Sequence, residues 1–247
     1  MIKKTSLTCL SMVLFLIAVV LMPSVTAAQD ASDGKGLYQT HCMGCHGQRG
    51  DGVSDGAKTM VVKPRDFTKG IFKFKSTPQG TLPTDADLMQ TISRGLSGSM
   101  MPSFASLPEQ DRRAILKYIK GFSSRWKTEE AGEPLIVPKV PEYVDTKRSR
   151  RRGKRVYFGS GGCMVCHGTK GDGRGAMSES LVDTWGNAVK PADFTKGVYR
   201  AGGEPEDLFR TLKTGVEGTA MPSFMYILRD EDVWNIISYL RSLKMEE

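Results

Sequence analysis

The chain of 247 residues contains one unit twice, and no other feature constrains its fold as much. Cys42-Met43-Gly44-Cys45-His46-Gly47 returns as Cys163-Met164-Val165-Cys166-His167-Gly168, and Gly50-Asp51-Gly52 returns as Gly171-Asp172-Gly173. The stretch from Lys63 to Gly70 returns from Lys190 to Gly197 with Ala192 in place of Arg65, and Met101-Pro102-Ser103-Phe104 returns as Met221-Pro222-Ser223-Phe224. The order is the same throughout, and the separations from His46 to Met101 and from His167 to Met221 are 55 and 54 residues. Local convergence does not produce four matches in register, so the chain is a tandem duplication. Its length suffices for two ordinary domains with a core each, and 39% hydrophobic and 25% charged residues are normal for globular proteins.

Lys3 and Lys4 precede an apolar run from Leu7 to Met22, followed by the small residues Val25-Thr26-Ala27-Ala28. This is the pattern of a secretory signal peptide, with cleavage expected after Ala27 or Ala28 and an exported, periplasmic product. The run is shorter than the ~20 residues that span a bilayer, which argues against the alternative of an uncleaved anchor. Cys9 goes with the signal. The expected division is signal peptide 1–28, first domain 29–122, linker 123–152 and second domain 153–247.

Each unit reads as mainly helical. Short helices are predicted over Gly34–Thr40 and Lys154–Phe158, ahead of each cysteine pair. Amphipathic helices are predicted over Glu109–Phe122 and Asp230–Leu243, where apolar residues recur at helical spacing. Further helices are predicted over Asp85–Arg94 and Pro205–Lys213. Pro134, Pro138 and Pro141 make the linker extended and stiff.

Cys-x-x-Cys-His is the attachment signature for c-type haem. Two thiols at this spacing reach the two vinyl groups along one porphyrin edge, and the histidine that follows lies under the ring. Cys42, Cys45, Cys163 and Cys166 are therefore expected to hold two covalently bound haem c groups, with His46 and His167 as proximal iron ligands. A four-cysteine zinc site would leave both histidines unexplained. A redox dithiol belongs to a βαβ pattern that is absent from this sequence, and plain disulfides are open to any secreted chain.

The sixth ligand follows by elimination. The third histidine, His41, adjoins Cys42, and no cysteine is left over. Methionine remains, and the duplication selects Met101 and Met221 because both begin Met-Pro-Ser-Phe. Met100 competes in the first unit, but its counterpart in the second is Ala220.

With these residues in place, each unit resembles a class I cytochrome c domain, and the tandem arrangement is similar to that of dihaem cytochromes of the cytochrome c4-like kind. The resemblance implies a mainly α fold of two tandem domains joined by a proline-rich, basic linker. It implies that the first and last helices of each unit cross, with Tyr118 and Tyr239 packed there. It also implies a proline carbonyl aimed at each proximal histidine, for which Pro64 and Pro191 are the candidates.

Histidine–methionine ligation fills both axial positions, as suits single-electron transfer between redox proteins and not catalysis. The expected role is a periplasmic carrier or the haem subunit of a respiratory or dehydrogenase complex. The enzymatic alternative, a dihaem cytochrome c peroxidase, commonly needs a further histidine ligand.

Seven of the nine residues from Lys147 to Arg155 are basic. An acidic docking surface on a redox partner is the expected counterpart, and peripheral membrane contact is the other reading. No nucleic-acid partner is expected.

Overall fold

A computed structural model describes residues 33–244; the expected signal segment lies outside the described residues. Among these, nine α-helices follow one another: α1 (Gly34–His41), α2 (Met43–His46), α3 (Asp55–Lys58), α4 (Asp85–Arg94), α5 (Glu109–Lys120), α6 (Lys147–Phe158), α7 (Met164–His167), α8 (Pro205–Thr214) and α9 (Asp230–Arg241). The only β features among the described residues are the isolated bridges Leu82–Ala131 and Val182–Ala188. The mainly α expectation therefore holds. No described helix is long and apolar enough to cross a membrane.

In each unit the first helix packs on the last, α1 on α5 and α6 on α9. A glycine permits the close approach. A Cβ on Gly34 would collide with the Ala114 carbonyl, and one on Gly153 with the Asn235 carbonyl. The tyrosines meet as the resemblance implied, Tyr38 with Tyr118 at 5.2 Å and Tyr157 with Tyr239 at 5.3 Å between ring centroids. Around Tyr38 lie Leu88, Ile92, Ile115, Leu116 and Ile119, and around Tyr157 lie Leu208, Leu212, Val233, Ile236, Ile237 and Leu240.

One predicted helix needs correction. It begins at Lys147 and not at Lys154, so the basic run lies within α6. Consecutive charges obscured the helical period, because only Ser149, Gly153 and Tyr157, each four residues apart, are buried. Thr146 caps the helix by accepting from Ser149 N, and Ser149 Oγ donates to Asn235 Oδ1 on α9 at 2.7 Å. The preceding proline-rich stretch has no regular secondary structure and is anchored. Leu135 N donates to Ser76 O at 2.8 Å, and Leu135, Val137, Val140 and Val144 pack on the second core.

The similar histidine-to-methionine separations conceal two opposite length differences. From Gly173 to Lys190 the second unit is six residues longer than the first is from Gly52 to Lys63. From Lys73 to Asp87 the first is seven residues longer than the second is from Arg200 to Asp207. Both longer loops cross to the other unit. Trp185 Nε1 donates to Asp66 Oδ2 at 3.1 Å, with the Arg65 guanidinium 4.2 Å above the indole. In the other direction, Lys75 Nζ pairs with Glu217 Oε2 at 2.6 Å. Two backbone hydrogen bonds complete a pseudo-twofold seam, Ser97 N to Arg200 O at 3.2 Å and Glu217 N to Lys73 O at 3.3 Å. The described residues consequently form one compact body.

Gly153→Ala should cost about 1–3 kcal/mol, the usual range for overpacking. Gly44, whose Cβ would meet nothing within 4 Å, is the control. Gly44→Ala should stay within about 0.5 kcal/mol, as for an ordinary surface substitution. Denaturant unfolding measures both, and equal midpoints would refute the tight crossing.

Candidate functional site

Each signature folds as a single helical turn, with His46 N donating to Cys42 O at 2.9 Å and His167 N to Cys163 O at 2.8 Å. Positions i, i+3 and i+4 then share a face, so both cysteines and the histidine of each unit point the same way. The turn ends at Gly47 (φ 78°) and Gly168 (φ 80°), in the left-handed region that glycine enters freely. Buried tyrosines tie these glycines to the preceding helix, Tyr38 Oη donating to Gly47 O at 2.8 Å and Tyr157 Oη to Gly168 O at 2.6 Å.

His46 Nδ1 donates to Arg65 O at 3.0 Å and His167 Nδ1 to Ala192 O at 3.1 Å. The expected acceptors, Pro64 and Pro191, are thus displaced by one residue. Their own carbonyls face Gly52 and Gly173, where a Cβ would come within 2.9 Å. Because a carbonyl can only accept, Nδ1 carries the proton and Nε2 keeps its lone pair for a metal. Burial lowers both imidazole pKa values below the ordinary range, which favours the neutral, metal-binding form. Phe67 stacks on His46 at 4.4 Å and Phe194 on His167 at 4.6 Å. These phenylalanines were not singled out from the sequence, although their place in the repeated Asp-Phe-Thr-Lys segment was the signal available.

No disulfide joins Cys42, Cys45, Cys163 or Cys166, and burial pushes the unattached thiols of Cys42 and Cys163 up to about 11. Among the described residues, no group of three or more His, Cys, Asp or Glu side chains could hold a metal ion. The four-cysteine zinc alternative therefore fails on geometry.

Met101 and Met221 occupy loops with matching hydrogen bonds. Leu96 N donates to Met101 O and Val216 N to Met221 O, each at 3.1 Å. Ser103 Oγ donates to Ser93 O at 2.6 Å and Ser223 Oγ to Lys213 O at 2.5 Å, fastening the loops to α4 and α8. Met100 is 69% exposed, whereas Met101 is half-buried.

All eight expected site residues line one continuous cavity of about 900 Å³. Thiols, imidazole and thioether line it in each half, with Leu88, Ile92, Leu208 and Leu212 as apolar wall. Lys73, Arg65 and Arg200 line it as well. Burial lowers Lys73 to about 8 and Arg65 to about 10, and burial alone pulls Arg200 down. Cations so placed suit the carboxylates of a porphyrin, and the donor set suits its iron. His41 is exposed at the cavity and packs edge-on to Phe104 at 6.1 Å.

The family model described as Cytochrome c matches twice, over residues 31–123 and 151–244. The chain is 30% identical over 220 residues to the Cbb3-type cytochrome c oxidase subunit CcoP of Helicobacter pylori (strain 52), covering 85% of this chain and 58% of that protein. It therefore spans little more than half the length of that relative. It is 27% identical over 224 residues to a nicotinate dehydrogenase subunit of Pseudomonas putida, covering 81% of this chain and 17% of the other. Among solved structures, a chain of the Kuenenia stuttgartiensis reducing HAO-like protein complex aligns with a TM-score of 0.83 at 36% identity, covering 86% of this chain and 96% of that one.

Tyr157→Phe should cost about 1 kcal/mol by removing the buried hydrogen bond to Gly168 O. Thermal unfolding measures the loss, and a stability equal to wild type would show that the tyrosine hydroxyl does not fasten the signature.

Proposed function

This chain belongs to the cytochrome c family and carries two covalently bound haem c groups, and on that premise we propose that it serves as an exported haem subunit of a larger redox assembly. Cys42 and Cys45 hold one haem and Cys163 and Cys166 the other. His46 with Met101, and His167 with Met221, supply the axial ligands. The haem iron supplies one-electron chemistry, with histidine–methionine ligation raising its reduction potential. The observation that carries the reading is the single cavity joining both signatures and both methionine loops.

The residues of the chain orient and insulate. Arg65 O and Ala192 O hold the proximal imidazoles in one tautomer and one plane. The seam keeps the residues that would hold the two haems around one cavity of a single body. Export follows from the signal pattern cut after Ala27 or Ala28. Assembly in a complex, in preference to free diffusion, is favoured by the relatives, which are named as an oxidase subunit, a dehydrogenase subunit and a chain of a protein complex.

Helix α6 supplies the docking surface. Lys147, Arg148, Arg150, Arg151 and Arg155 lie exposed, whereas Arg152 pairs with Glu231 at 2.7 Å. The first turn of α6 contains no acid, although acids there would suit the helix dipole. Helices α5 and α9 do place acids in their first turns. The charge on α6 thus opposes helix stability and suits an acidic partner surface.

Acid–acetone treatment should leave two haems on the protein, and replacing Cys163 and Cys166 with alanine should leave one. Haem extracted by the acid, or two haems on that variant, would refute the attachment. The oxidised protein should show the weak red-edge band of sulfur-to-iron ligation, which Met101→Ala with Met221→Ala should abolish. Neutralising Arg148, Arg150, Arg151 and Arg155 should slow electron exchange with the native partner severalfold at low salt. The difference should shrink once the Debye length falls to about 8 Å, near physiological ionic strength. Unchanged exchange at low salt would refute docking through α6.

A further inference from the structure

The two methionine loops are held unequally by the opposite unit. In the second unit, Glu217 lies four residues before Met221 and is gripped from the first unit at three atoms. Its N donates to Lys73 O at 3.3 Å, its Oε1 accepts from Gly80 N at 3.1 Å, and its Oε2 lies 2.6 Å from Lys75 Nζ. Gln79 Nε2 donates to the carbonyl of Met221 itself at 3.4 Å, and Thr214 Oγ1, just before the loop, donates to Lys75 O at 3.1 Å.

The gripping loop is itself rigid. Lys75 Nζ also donates to Pro78 O and Thr81 O, each at 2.5 Å, and Arg125 donates to Gly70 O at 2.9 Å and Gly80 O at 2.8 Å. The side chains of Lys75 and Glu217 are only 2% and 12% exposed. Moving the Met221 loop outward would leave the Lys75 charge buried without its carboxylate, which is costly.

The first unit has no such grip on Met101. Ser97 stands where the second unit has Glu217, and the connection from Arg200 to Asp207 lacks the seven residues needed to reach across. What remains at the loop is the backbone hydrogen bond from Ser97 N to Arg200 O at 3.2 Å and the approach of Val198 to Gly98, and just before the loop the exposed Arg94 reaches Asp207 Oδ2 at 3.3 Å. The neighbouring Met100 is 69% exposed, so this loop has solvent on its outer side. The second unit's extra loop covers the histidine side of the first site, through Trp185 on Arg65 and Asp66.

We propose that Lys75, Gln79 and Glu217 are positioning residues that brace Met221, and that Met101 is the axial methionine a small exogenous ligand such as imidazole displaces first. The proposal rests on the ligand assignment above. Displacement requires the methionine loop to swing away from iron. Only the second loop must break a buried ion pair and the hydrogen bonds from Gln79 and Gly80 of the other unit to do so.

Imidazole titration of the oxidised, haem-loaded protein tests this, with the red-edge band as readout. Met101→Ala leaves a band that reports Met221, and Met221→Ala leaves one that reports Met101. Bleaching the Met221 band should need at least about tenfold more imidazole, the effect expected of outer support to a metal ligand. Adding Glu217→Gln to Met101→Ala should erase most of that difference. Gln79→Ala, an exposed change that leaves the buried pair intact, should reduce it in part and guards against misfolding of the Glu217 variant. Equal bleaching in the two methionine variants, or protection of Met221 that survives both Glu217→Gln and Gln79→Ala, would overturn the brace alone. Absence of the band from both methionine variants would overturn the ligand assignment and the brace with it.

Discussion

Two reciprocal backbone hydrogen bonds, Ser97 N to Arg200 O and Glu217 N to Lys73 O, govern how the rest of this molecule is arranged. Each donor lies in one unit's methionine loop, and each acceptor follows the repeated Lys-Pro-x-Asp-Phe segment of the other. The site-bearing faces of the two units are thereby set against each other, and their pockets merge into one cavity. Main-chain groups make these bonds, so they survive divergence of the side chains around them. Ser97 and Glu217 share no side-chain chemistry, yet their amides do the same work.

On this symmetric frame the two sites acquire different surroundings. The extra loop of the first unit reaches the methionine side of the second site through Lys75 and Gln79. The extra loop of the second unit reaches the opposite side of the first site through Trp185, which stacks against Arg65 and donates to Asp66. A buried ion pair without a matching partner in the other unit is a poor source of net stability, but it fixes geometry strongly because breaking it strands a charge. Two sites lined by the same residue types are thus differentiated by what lies one layer out.

Much of the site was legible in the sequence because covalent haem attachment demands a fixed short spacing. The duplication then favoured Met101 over Met100, because Ala220 stands opposite Met100. Helices α4, α5, α8 and α9 were legible for a related reason, since their apolar residues keep the helical period and their ends follow the dipole. Helix α6 was legible only at its C-terminal end. Its buried positions are a serine and a glycine besides one tyrosine, and neither small residue carries a hydrophobic signal.

Sequence alone determined the two units, their order and the haem chemistry, because the attachment signature depends on neighbours within a few positions, and it singled out the methionines through the match between the repeats. Tertiary structure decided which carbonyl meets each histidine, since the turns at Arg65 and Ala192 are set by packing across Gly52 and Gly173. It also decided that the linker is anchored and that the two pockets join. The two unequal loops nearly cancel in length, so the matching separations of 55 and 54 residues gave no hint of the one-sided brace. That brace joins Lys75 to Glu217 across much of the chain, and only the folded seam brings their charges together.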